Sequence, residues 1–174
     1  MRTRILIPVE RIADRVEAMA DDIAKAVAPD TTAIIAMTGG FVFGADLLRA
    51  LSRRACRFRC DIMQLQSYGG GLVSAGRPQI TLVPQSPLVD ADVLFIDDIL
   101  DTGRSFKAAL DHFAAQGARS VRTAVLLDKP SRRLEAVDAD FIGFEIPDLF
   151  VIGYGLDLDR RYRELPDIHV VEGE

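Results

Sequence analysis

Apolar residues recur at spacings of three and four from Val9 through Ile12, Val16, Met19 and Ile23 to Val27, and the positions between them are mostly charged or small. That stripe predicts an amphipathic helix ending before Pro29. The run from Thr32 to Met37 is short and apolar and gives way to Gly39-Gly40, the pattern of a buried strand feeding a tight turn. Phe43, Leu47, Leu48 and Leu51 then resume helical spacing. The same grammar returns with a second buried strand at Asp92 to Ile96 and a polar turn from Asp97 to Ser105. A helix carrying Phe106, Ala109, Leu110 and Phe113 follows and ends at Gly117. Further strands are predicted at Ser120 to Leu127 and Phe141 to Ile146. Strands alternating with helices imply βαβ units, so the expected fold is α/β: a mainly parallel, twisted sheet flanked by helices.

One segment breaks the pattern. Ser67 to Gly76 contains four glycines and few core-forming residues. It reads as a loop between two strands, the second covering about Gln79 to Val83. Glycine-rich loops of this length often serve as lids in compact domains.

The 174-residue length suggests one domain spanning residues 1–174. Apolar residues make up 49% and charged residues 27%, ordinary globular usage that excludes a disordered or fibrous chain. No apolar run approaches the ~18 residues a membrane helix needs, and the N-terminus lacks a secretory signal's long apolar centre. A soluble, cytoplasmic protein is the expectation. The net charge of −5 argues against general nucleic-acid binding, which needs a cationic surface. Arg53, Arg54, Arg57 and Arg59 crowd one segment, read here as a solvated helix end and loop. Cys56 and Cys60 are read as reduced thiols with no metal role.

In an open parallel sheet, ligands bind beyond the carboxyl ends of the strands. Three polar turns leave such ends: Met37 to Gly40, Asp97 to Ser105, and Asp128-Lys129. Topology alone predicts that they converge. The second turn, Asp97-Asp98-Ile99-Leu100-Asp101-Thr102-Gly103-Arg104-Ser105, is the most informative. Adjacent carboxylates at a strand end repel each other unless a cation or a hydroxyl-rich ligand lies between them. Thr102-Gly103-Arg104-Ser105 opens a helix, where backbone amides, two hydroxyls and the positive helix end suit a phosphate monoester. Together these features describe a site for a phosphorylated ribose. Neither a GxxxxGK[ST] loop nor a GxGxxG fingerprint is present.

These residues resemble the phosphoribosyl pyrophosphate (PRPP) signature of the type I phosphoribosyltransferases and, more narrowly, the 6-oxopurine (hypoxanthine) phosphoribosyltransferases. The resemblance runs from about Ile34 to Val171. Its marks are Gly39-Gly40-Phe41 with Ala45-Asp46-Leu47, Ser67-Tyr68-Gly69, Val93 to Ser105, Leu126 to Lys129, and above all DFIGFEIPDLFVIGYGLDLDRRYR from Asp140 to Arg163. It implies the type I fold, with a small hood formed by the terminal segments and a lid at about 67–78. It also implies transfer of phosphoribose from PRPP to purine N9, with Mg²⁺ as cofactor.

Residue by residue, the resemblance makes Asp101 the carboxylate that faces purine N7. Thr102, Gly103, Arg104 and Ser105 become the 5′-phosphate site, and Asp97 and Asp98 the residues that align ribose and Mg²⁺. Asp157 becomes a further Mg²⁺-side carboxylate and Arg163 a pyrophosphate contact beside Thr38 and Gly39. Lys129 becomes the donor to the 6-oxo group, Phe150 the ring that stacks on the purine, and Val151 the reader of its 2-position through the backbone. Ser67 and Tyr68 begin the lid, which excludes water from an oxocarbenium-like centre. Family members commonly form homodimers and homotetramers.

Three positions depart from the family pattern: Thr38 stands where many members carry Lys or Arg, Asp97 where many carry Glu, and Leu149 where Lys is frequent. Thr38 shifts pyrophosphate binding toward the loop amides, Asp97 is one methylene shorter at its contact, and Leu149 leaves open a relative that prefers xanthine or guanine. A PRPP-sensing regulator that binds nucleic acid on the same fold would need an extended basic face and no Lys129 or Phe150.

Overall fold

The computed structural model describes residues 1–66 and 78–172. Along the chain, β1 (Arg2–Ile7) leads into α1 (Val9–Ala26), and β2 (Thr32–Met37) into α2 (Phe41–Arg53). Next come β3 (Arg59–Gln66), β4 (Gln79–Leu82), β5 (Asp92–Leu100) and α3 (Arg104–Ala115). The chain closes with β6 (Ser120–Asp128), β7 (Phe141–Glu145), β8 (Val151–Ile152) and β9 (Ile168–Glu172).

Six strands form the main sheet in the order β4-β3-β2-β5-β6-β7, all parallel except the edge strand β4. Side chains on the central strands alternate between two cores, as the two-residue period of a strand requires. Ala33, Ile35, Leu94, Ile96, Ala124 and Leu126 join the buried faces of α1 and α2. Ile34, Ala36, Val93, Phe95 and Val125 join Phe106, Ala109 and Phe113 of α3. Phe95 meets Phe106 and Phe113 at ring-centroid distances of 5.5 and 5.4 Å, in tilted and edge-on arrangements. The three predicted helix faces and the mainly parallel sheet are therefore present.

The order also fixes where a ligand site can form. From β2 the chain passes through α2 to β3 on one side, whereas β5 pairs with the other side of β2. The crevice between the carboxyl ends of β2 and β5 is thus a topological switch point.

The terminal segments build a second, antiparallel sheet in the order β1-β9-β8, the hood expected from the resemblance. Asp167, just before β9, accepts the Val9 amide at 2.8 Å. It supplies the side-chain cap that Pro8 lacks at the start of α1.

One sequence expectation needs correction. The strand read as ending at Ile96 continues to Leu100, with Asp97 opposite Val125, Ile99 opposite Leu127 and Leu100 opposite Asp128. Leu100 is buried and anchors that extension. Asp97 and Asp98 therefore lie in the strand, and the polar turn proper shrinks to Asp101-Thr102-Gly103. The basic segment is engaged by α1: Arg53 pairs with Glu17, and Arg54 reaches Glu17 at 2.8 Å and Asp21 at 2.6 Å.

Candidate active site

Glycine brings the β2 and β5 ends together. A Cβ on Gly39 would stand 1.9 Å from Oδ2 of Asp98, and one on Gly40 would meet the Ala36 carbonyl at 2.7 Å. Only a bare Cα permits this approach. The Met37–Thr38 peptide bond is cis, and Thr38 is exposed at the tip.

Asp97 and Asp98 share the floor of the crevice. The Asp98 amide donates to Asp97 Oδ1 at 2.9 Å, and the Ile99 amide donates to Asp98 Oδ1 at 3.1 Å. Burial, and then the charge of Asp98, pushes the Asp97 carboxyl well above the ordinary range. Burial also raises Asp98, offset in part by its hydrogen bonds and by the positive charge of Arg163. Two carboxylates held this way repel each other and favour a bound cation.

The turn after β5 is built around Gly103, whose φ of +84° lies in the left-handed region. A side chain there would also strike Val137 at 2.8 Å. α3 begins at the next residue, Arg104, so its opening amides point out of the helix end toward the crevice, and the Lys107 amide closes the first turn on the Gly103 carbonyl at 2.8 Å. Asp101, Thr102, Arg104 and Ser105 are partly exposed around this turn, and Gly103 is buried. The Lys129 amide donates to the Leu100 carbonyl at 3.0 Å and ties the end of β6 to the same crevice.

Lys129 is only 7% exposed, so it is no solvated surface charge. Burial lowers its pKa, and the charges of Asp101 and Asp148 oppose that shift. Phe150 shows the opposite exposure: at 44% it stands out of the core. Val151 follows it, buried, as the first residue of β8.

Arg163 sits where the hood reaches the crevice. It pairs with Asp157 at 2.7 Å and donates to the Gly155 carbonyl at 2.5 Å. Gly155 in turn packs on Gly39, since a Cβ there would lie 2.3 Å from the Gly39 carbonyl oxygen. Tyr154 donates to Asp46 of α2 at 2.6 Å. Ser67 and Tyr68 lie outside the described residues, as does most of the lid expected at 67–78.

A model of the phosphoribosyl transferase domain matches residues 8–159. Hypoxanthine-guanine phosphoribosyltransferase of Aquifex aeolicus is 36% identical over 173 residues, covering 98% of this chain and 96% of that protein. The Bacillus subtilis enzyme of the same name is 36% identical over 171 residues, covering 97% and 93%. The chain belongs to the hypoxanthine-guanine phosphoribosyltransferase family. A hypoxanthine phosphoribosyltransferase from Staphylococcus aureus superposes with a TM-score of 0.89 at 32% identity, covering 97% of this chain and 91% of that one. A Trypanosoma cruzi structure, solved in work on how the C-terminal region affects oligomeric state and activity, gives 0.90 at 34% identity. Among the described residues no helix is long and apolar enough to cross a membrane.

The phosphoribosyltransferase site includes residues that pattern reading passed over. Arg132 donates through Nε to Asp101 Oδ1 at 3.1 Å and through Nη1 to Asp148 Oδ2 at 3.4 Å. Arg133 donates to the Leu100 and Asp101 carbonyls at 3.0 and 2.5 Å and pairs with Asp128. The available signal was Pro130 directly after Lys129. It opens a short 3₁₀ turn, Pro130–Arg132, that sends both arginines back across the strand ends.

The donor set suits magnesium. Among the described residues no three His, Cys, Asp or Glu side chains converge into an all-protein cage. Magnesium does not require one: it is ordinarily held by one or two carboxylates, with waters and substrate phosphates completing the octahedron. The crowded Asp97–Asp98 pair would supply those carboxylates, whereas Asp157 is engaged by Arg163.

Proposed function

We propose that this enzyme serves purine salvage in the cytoplasm, transferring the 5-phosphoribosyl group of PRPP to N9 of hypoxanthine and guanine and releasing pyrophosphate. The observation that carries this reading is one crevice holding two chemistries. The carboxylate pair and the helix-opening turn suit a sugar phosphate, and a buried lysine at the end of β6 together with an exposed phenylalanine ring just before β8 suits an oxopurine.

In this reading the α3 amides and the side chains of Thr102, Arg104 and Ser105 bind the 5′-phosphate. Asp97 and Asp98 orient the ribose hydroxyls and hold Mg²⁺, with Asp157 a further carboxylate on the metal side. Bound there, Mg²⁺ neutralises charge developing on the pyrophosphate. Arg163 and the Thr38–Gly39 turn face the pyrophosphate. Phe150 stacks on the purine, an interaction on the order of 1–3 kcal/mol for base–aromatic contacts. Val151 reads its 2-position through the backbone. Lys129 donates to the 6-oxo group, which adenine lacks. As the N9–C1′ bond forms and the C1′–O bond to pyrophosphate breaks, Asp101 accepts the N7 proton. Ser67 and Tyr68 begin the lid that excludes water. The enzyme works as a homodimer or homotetramer.

The test is a spectrophotometric assay with PRPP, Mg²⁺ and each of hypoxanthine, guanine, xanthine and adenine, with and without a chelator. Hypoxanthine and guanine are expected to give nucleotide only without the chelator. Preference for adenine or xanthine, or turnover unaffected by chelation, overturns the reading.

A further inference from the structure

Three consecutive carbonyls at the end of β5 are drawn to one side. Leu100 O accepts the Lys129 amide and Arg133 Nη1, both at 3.0 Å. Asp101 O accepts Arg133 Nη1 at 2.5 Å. Thr102 O accepts the Leu134 and Glu135 amides at 2.9 and 3.2 Å. In a planar trans peptide the C=O of one residue and the N–H of the next point in opposite directions. These peptides are trans; the cis bond is at Met37–Thr38. The amides of Asp101, Thr102 and Gly103 are therefore aimed away from the 133–135 segment. They add to the opening amides of α3, which begins at the next residue. Successive amides turned to one side form an anion nest.

We infer that Arg133 is a positioning residue for the 5′-phosphate: by gripping the Leu100 and Asp101 carbonyls it turns the amides of the β5–α3 turn toward the anion. This rests on the phosphate site proposed above. Arg133 suits the task because a planar guanidinium forks. One nitrogen serves both carbonyls while Nη2 pairs with Asp128, at the end of β6, with side chains only 15% and 9% exposed. The side chain also packs on the turn it orients, since a Cβ on Gly103 would lie 3.2 Å from Arg133 Cδ. A lysine would keep the charge and the pairing with Asp128, but a single ammonium cannot reproduce the fork.

The experiment compares wild type, R133K and D140N by calorimetric titration with inosine monophosphate and with inosine, which differ only by the 5′-phosphate. Steady-state KM values for PRPP and hypoxanthine accompany it. Asp140 serves as the structural control, because it binds Arg122 and Thr123 at the opposite end of β6. R133K is expected to lose about tenfold of the monophosphate-over-inosine preference and to raise KM for PRPP, with inosine affinity and KM for hypoxanthine within about twofold. D140N is expected to melt earlier and keep the preference. An unchanged preference in R133K, or an equal loss in D140N, overturns the inference. If wild type itself does not prefer the monophosphate, the phosphate-site reading falls, and the role of Arg133 falls with it.

Discussion

Arg132 holds Asp101 by a hydrogen bond of 3.1 Å from its Nε and extends the same guanidinium toward Asp148. The carboxylate proposed to take the purine proton is therefore oriented before substrate arrives. Asp101→Asn keeps an oxygen for Arg132 and removes the proton acceptor. Its kcat is expected to fall by ~10²-fold or more, with KM for PRPP little changed. Steady-state kinetics on the purified variant decide the matter: near-normal turnover removes the assignment.

Gly39 and Asp98 leave no room between them. Gly39→Ala places a methyl group on the Asp98 carboxylate, where the Cβ would stand 1.9 Å from Oδ2. In the proposed site, displacing that carboxylate would disturb ribose and metal alignment, so KM for PRPP and the Mg²⁺ concentration for half-maximal rate are both expected to rise about tenfold. Purine affinity is expected to change far less. A variant with wild-type Mg²⁺ dependence would separate Asp98 from the metal.

Lys129 makes the pH prediction. Burial lowers its pKa, so it loses its proton at lower pH than a free lysine would. In the proposed role, only the ammonium form can donate to the 6-oxo group. It follows that kcat/KM for hypoxanthine should hold at neutral pH and decline through an alkaline limb as pH rises. Lys129→Ala is expected to lack that limb, to raise KM for hypoxanthine and to relax discrimination against adenine. If only PRPP kinetics change, Lys129 belongs to the phosphate side.

The parallel sheet was readable because each central strand is a short apolar run bounded by glycine or acidic residues, and alternation buries both faces. The extension of β5 was not. Asp97 and Asp98 look like a turn in sequence, and only pairing with β6 and burial of Leu100 keep them in the strand. Lys129 and Phe150 illustrate the same limit from the other side. A lysine after a strand ordinarily faces water and a phenylalanine ordinarily enters the core, yet their exposures here are 7% and 44%. The family motif rather than residue type pointed to both. The roles of Arg132 and Arg133 were hidden because they depend on where one 3₁₀ turn sends the chain.

Asp92, at the start of β5 and far along the strand from the crevice, should govern acid stability without affecting turnover. Arg119 donates to it at 3.0 and 2.5 Å, and Ser120 at 2.6 Å. The Arg119 bonds, followed by that of Ser120, hold its pKa at about 2, below the ordinary value of 3.8. A carboxylate depressed on folding contributes stability that is fully present above its unfolded pKa and disappears as pH falls through the folded one. The window for this pair is therefore between about 4 and about 2. Arg119 is 63% exposed, and solvent screening keeps the contribution small. Asp92→Asn is thus expected to lower Tm slightly but measurably at pH 7, with kcat unchanged. The gap to wild type should shrink as pH drops below about 4 and with added salt. Melting curves from pH 7 to pH 2 test this directly, and a gap that persists at the acid end would assign the loss to packing rather than to the ion pair.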